Sequence, residues 1–95
     1  LKGHGRVPIR FARVEDPSSG RGMEVSTTEP GVQLYTGNHL RNFTGTGGAT
    51  FGSHGGFCLE TQHFPDAVNH PHFPSAVVRP EQPFRSTTVF AFLAK

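Results

Sequence analysis

The chain has 95 residues, 34% of them apolar, with 12 glycines, 8 prolines, one cysteine and a formal charge of +2. That length provides one small domain. The weak, scattered positive charge excludes a nucleic-acid footprint, a single Cys58 excludes an intrachain disulfide, and no stretch approaches the roughly 20 apolar residues of a membrane span.

A lone thiol fits a reducing compartment, so a cytoplasmic location is expected. No basic segment followed by an apolar one marks a signal peptide. The chain opens on Leu1 and reads as processed or as a piece of something longer. Chains this short bury only about 60–65% of their surface, which leaves a core without a disulfide marginal. An incomplete domain is expected.

No window holds a 3.6-residue period; short period-two runs between turn signals predict an all-β fold. "IRFARVE" (9–15) alternates Ile9, Phe11, Arg13 and Glu15 against Arg10, Ala12 and Val14. "DPSSGR" supplies turn chemistry, and "GMEVSTT" (22–28) alternates Met23, Val25 and Thr27 against Glu24, Ser26 and Thr28. The two predict a hairpin. After Pro30-Gly31, "VQLYT" (32–36) is a further strand, with Gln33 and Tyr35 on its less apolar face. Residues 37–56 read as a long loop and 56–62, "GFCLETQ", as a strand. Pro65, Pro71 and Pro74 forbid a regular helix over 63–76. "AVVRP" is a candidate short strand ended by Pro80. The closing strand, "STTVFAFLA", is apolar on both faces and predicts burial on both sides.

The strand 56–62 poses the chemical question. Phe57, Leu59 and Thr61 share one face, a core face; Cys58, Glu60 and Gln62 share the other. That second face is small and polar and suits the floor of a cleft. Gly55 and Gly56 let a ligand or another backbone come close. A carboxylate shielded from water at such a site becomes a better base near neutral pH. The plain alternative is a structural carboxylate, paired with an arginine such as Arg13 or capping a turn.

Two long stretches carry a resemblance. "VSTTEPGVQLYTGN" (25–38) and "HGGFCLETQHFPDAVNHPHFP" (54–74) closely resemble the C-terminal part of the galactose mutarotase (aldose 1-epimerase) family. The flanking hairpin and the tail "RPEQPFRSTTVFAF" are similar to the family's adjoining strands. The resemblance implies that residues 1–95 are the C-terminal part of a single aldose 1-epimerase domain. It implies a large antiparallel β-sandwich, incomplete in this chain, with a sugar site in a concave sheet. It also implies interconversion of the α- and β-anomers of aldohexoses such as galactose and glucose, with no cofactor and no metal. Glu60 matches the family's general base, and Gln33 matches a glutamine that contacts sugar hydroxyls. The implied partner is a small-molecule aldohexose rather than nucleic acid or membrane, with a full-length parent that is a monomer or dimer.

There are departures. The family's general-acid histidine and further histidine, arginine and aspartate contacts lie upstream of the matching region, outside this chain. The loop after Asn38 lacks the Asp-Gly and Gly-Lys of many members, Phe51 stands where tyrosine is usual, and His63 replaces the common Asn or aromatic after "ETQ". The expectation is a chain without turnover of its own. The rival from another class is a non-catalytic carbohydrate-binding or interaction remnant that keeps Glu60 and Gln33 as hydrogen-bonding groups.

Other signals are weaker. His63, His70 and His72, or Cys58 with His54, offer metal-ligand types without a recognised zinc spacing. His54 is a candidate substitute acid for Glu60, against a plain loop histidine. "TGTGGATFGSHGG" (44–56) lacks the GKS/T of a phosphate loop. The "NFT" sequon at 42–44 reads as chance. Cys58, between Phe57 and Leu59, reads as a packed, inert thiol.

Overall fold

The computed structural model describes Leu1 and residues 5–94. Strands β1 (Ile9–Asp16) and β2 (Arg21–Thr27) form the antiparallel hairpin that the alternation predicts. Its turn follows from local chemistry. Asp16 Oδ1 accepts from the Ser18 backbone N–H at 3.1 Å and the Ser18 hydroxyl at 2.8 Å. Gly20 donates its N–H to the Asp16 carbonyl at 2.9 Å. Gly20 does so at φ 73°, a left-handed conformation that glycine adopts without a Cβ penalty.

The register departs from the simple alternation at one point. Arg10 pairs with Ser26 and Ala12 with Val25, so Phe11 is an extra, bulged residue. A bulge resets which residues share a face. Ile9 therefore joins Ala12 and Val14 rather than Arg13. Arg10 and Arg13 end up side by side, and both donate to Glu24 Oε1 at 3.0 Å. Arg13 also bonds Glu15.

Strand β7, the last in the chain (Thr88–Ala94), pairs antiparallel with the other side of β2. The sheet order is β1-β2-β7. Val25 lies in the middle strand between Ala12 and Phe90 and is fully buried. The expected two-sided burial of β7 is not met: Phe92 is 77% exposed, with Phe90 and Val89 about half exposed. The strand is an edge with β2 as its hydrogen-bonded neighbour, and no layer of described residues covers its aromatic side chains.

The other strands are β3 (Gly31–Tyr35), β4 (Phe43–Thr44), β5 (Thr50–Phe51) and β6 (Cys58–Gln62). β3 and β6 form a second antiparallel sheet. β4 and β5 make a small hairpin inside the expected loop, with Phe43 opposite Phe51 and their rings 5.9 Å apart. The proline-rich stretch holds a single 3₁₀ turn, Ala67–Asn69. "AVVRP" is not a strand; it leads to an isolated bridge between Arg79 and Gln82 around a turn at Pro80. Proline has no N–H to continue a ladder.

Among the described residues the buried apolar side chains are Val25, Pro30 and Ala67. The radius of gyration is 16.6 Å, against roughly 12–13 Å for a compact domain of this length. The architecture is all-β and antiparallel, as part of a β-sandwich requires, with its apolar faces still open. No helix among the described residues is long and apolar enough to cross a membrane.

Candidate functional site

In the β3–β6 ladder, Gln33 stands directly opposite Glu60. Gly31 is opposite Gln62 and Tyr35 opposite Cys58 on the same side; Val32–Thr61 and Leu34–Leu59 form the other. Residues paired across a ladder share a face. The two faces expected from each strand alone are therefore matched, polar to polar and apolar to apolar. The apolar face is not closed: Leu34 is 57% exposed.

The polar face is bounded at both ends. The Phe64 ring stands over Gly31, where a Cβ would lie 3.0 Å from two ring carbons. At the other end the Tyr35 hydroxyl accepts from the His39 backbone N–H at 2.9 Å, and its ring stacks on that of His39. Between these ends Glu60 is exposed and has no hydrogen-bond or ion-pair partner among the described residues. Gln33 is exposed too, with a 3.5 Å contact from its amide to the Leu34 carbonyl. Arg13 is engaged with Glu15 and Glu24, so an Arg13–Glu60 pair is not what places the carboxylate. Cys58 is exposed rather than packed, because it points to this open face.

The face is an open strip rather than the walled cleft that the strand pattern anticipates. Beyond Gln62 lies a shallow, open cleft of about 600 Å³ lined by residues that include Glu29, Gln62, His63, Phe84 and Arg85. Neither Glu60 nor Gln33 is in its wall. Here the structure brings out a pair that the sequence reading missed. Glu29 is 7% exposed, and its Oε2 lies 3.2 Å from His63 Nδ1. Phe84 packs edge-on against the His63 ring at 6.1 Å. A glutamate immediately before Pro30-Gly31 was the available signal: an acidic residue held in a turn between two buried strand ends needs a partner.

Of the other described histidines, His54, His70 and His72 are committed elsewhere. His54 Nδ1 lies 2.9 Å from the Thr36 carbonyl. A carbonyl only accepts, so this nitrogen carries the hydrogen and ties the loop to the end of β3. His70 bonds Asp66 at 3.2 Å and packs against His72 and Phe73. Among the described residues no three His, Cys, Asp or Glu side chains come together as a metal site. Gly55 serves another backbone, since a Cβ there would lie 2.9 Å from the Gly52 carbonyl oxygen, whereas a Cβ at Gly56 would meet nothing within 4 Å.

Residues 8–91 match the sequence profile of the aldose 1-epimerase family. The chain belongs to that family. It is 54% identical over 82 residues to galactose mutarotase of Homo sapiens, covering 85% of this chain and 24% of that protein. It is 54% identical over 90 residues to galactose mutarotase of Bos taurus, covering 93% and 26%. An aldose 1-epimerase of Escherichia coli is 33% identical over 75 residues, covering 77% and 22%. The chain thus spans about a quarter of the length of the curated relatives it matches. The aldose 1-epimerase resemblance read from "EPGVQLYTGN" and "GFCLETQ" is correct at the level of the family.

Proposed function

We propose that this chain is the C-terminal part of a single aldose 1-epimerase domain and supplies the base side of its sugar site. Glu60 is the general base, Gln33 binds sugar hydroxyls, and the substrate is an aldohexose such as galactose or glucose. The observation that carries the reading is the direct cross-strand pairing of Gln33 with Glu60 on one exposed face.

The chemistry uses what these two side chains have. A carboxylate takes the proton of the C1 hydroxyl. The C1–ring-oxygen bond breaks as an acid protonates the ring oxygen, which leaves an open-chain aldehyde. Rotation about C1–C2 and reclosure, with the protons returned, give the other anomer. Each positioned proton-transfer group contributes typically about 10²–10⁴-fold. The Gln33 amide offers one acceptor and two donor hydrogens to a sugar's mixed hydroxyls. The sequence needs a base and an acid, and no cofactor or metal. We place the protein in the cytoplasm on its lone, unpaired thiol.

Among the described residues no acid is hydrogen-bonded to Glu60. His54 is held by the Thr36 carbonyl and His63 by Glu29, and neither reaches Glu60. The 95-residue chain therefore binds an aldohexose without turning it over. Polarimetry of α-D-galactose with the purified chain, beside an NMR titration with D-galactose, tests this. Binding at Gln33 and Glu60 without protein-dependent mutarotation is the expected result. Mutarotation abolished by Glu60→Gln would overturn the inactivity, and no binding at either residue would overturn the site.

A further inference from the structure

The strand that carries Glu60 is anchored by hydroxyl groups. Thr61, its chain neighbour, points to the opposite face of β6, and its Oγ1 lies 2.9 Å from Thr88 Oγ1 on β7. Thr88 Oγ1 in turn lies 3.0 Å from Thr27 Oγ1 on β2. Thr27 is 1% exposed, and its hydroxyl donates to the Thr87 carbonyl at 3.3 Å while accepting from the Glu29 N–H at 3.1 Å.

One hydrogen per hydroxyl sets the direction of the whole chain. A carbonyl cannot donate, so the Thr27 hydrogen goes to Thr87. Thr88 must then donate to Thr27, and Thr61 to Thr88. The result is a one-way chain of hydrogen bonds from β6 through β7 to β2. It joins the two-stranded sheet that holds Gln33 and Glu60 to the three-stranded sheet. It ends at the turn from which β3 departs, since Thr27 also holds the Glu29 backbone. The Glu29–His63 contact ties the same turn to the residue just after β6. Both strands of the candidate site are thus referred to one fixed point.

We propose that Thr88 is a positioning residue for the sugar site: its hydroxyl, bridging Thr61 and Thr27, sets the placement of β6 and so of Glu60 against Gln33. This rests on the reading that those two residues meet the sugar. Thr88 itself touches no substrate. Valine at position 88 keeps the shape and removes both hydrogen bonds; serine keeps the hydroxyl.

The test compares the 95-residue chain with Thr88→Val and Thr88→Ser. It reads the Glu60 carboxylate ¹³C and Gln33 side-chain amide resonances, the dissociation constant for D-galactose, and the urea midpoint. Thr88→Val is expected to move both resonances and weaken galactose binding about tenfold, with Thr88→Ser within about twofold of the parent. A folded Thr88→Val chain with a lower urea midpoint but parental resonances would make the residue merely structural and overturn the proposal. So would failure of serine to restore them. If Thr88→Val does not fold, Thr61→Val removes only the β6 end of the chain and is judged by the same two resonances. Resonances that respond to Thr88→Val in a chain that does not bind galactose support the positioning role and sink the sugar-site reading instead.

Discussion

Gln33 and Glu60 oppose one another across the β3–β6 ladder, an amide beside a carboxylate on an open face. Side chains so placed have Cβ atoms about 4.5–5.5 Å apart, close enough to contact one small polar ligand together. Gln33→Ala is expected to weaken D-galactose binding about fivefold, the loss of one ordinary hydrogen bond. Gln33→Glu sets two carboxylates opposite each other and is expected to lower stability by about 0.2–1 kcal/mol. Added salt relieves that cost. An NMR titration and urea unfolding at two ionic strengths check the pair.

Glu29 and His63 form a different kind of pair, with the carboxylate buried and the imidazole partly exposed. His63→Ala leaves the Glu29 side chain out of water without its partner, at an expected cost of about 1–3 kcal/mol. Glu29→Ala in the same background removes the stranded group, so the double variant is expected to be more stable than the sum of the single losses. A double-mutant cycle in urea reads this coupling directly.

Two glycines separate backbone conformation from space. Gly37 has φ 74° and Gly47 φ 73°, so both disfavour an L side chain. A Cβ at Gly37 would also lie 2.7 Å from the Gly56 carbonyl, whereas nothing comes within 4 Å at Gly47. Gly47→Ala is expected to cost about 1 kcal/mol, and Gly37→Ala at least twice that. Comparison of their unfolding midpoints isolates the close approach.

The hairpin turn carries a pH signature. Hydrogen bonds from Ser19 and Ser18 lower the Asp16 carboxyl below its ordinary 3.8. A carboxyl lowered in the folded state stabilises it above 3.8 and loses that contribution as pH falls through the folded value. Protection of the Ser18 and Gly20 amides, relative to their intrinsic exchange rates, is expected to fall below about pH 3.8, and Asp16→Asn to remove that dependence.

The sequence alone determined what is local. Strand alternation assigned Gln33 and Tyr35, and Cys58, Glu60 and Gln62, to polar faces, because side chains alternate along any strand. Asp16, Pro17 and Gly20 made the turn readable, since the hydrogen bonds that close it reach no further than from Asp16 to Gly20. The family was legible in "EPGVQLYTGN" and "GFCLETQ". Only the tertiary structure decided which faces meet and how they are held. The Phe11 bulge moved Arg10 beside Arg13, and both bond Glu24 rather than Glu60. The ladder set Gln33 against Glu60, and the hydroxyl chain through Thr88 joined three strands. Exposure of β7 ran against its apolar composition, because burial depends on what packs over a strand and not on the strand's own residues. Pairing and burial are relations between distant segments, and no window of the sequence contains both partners.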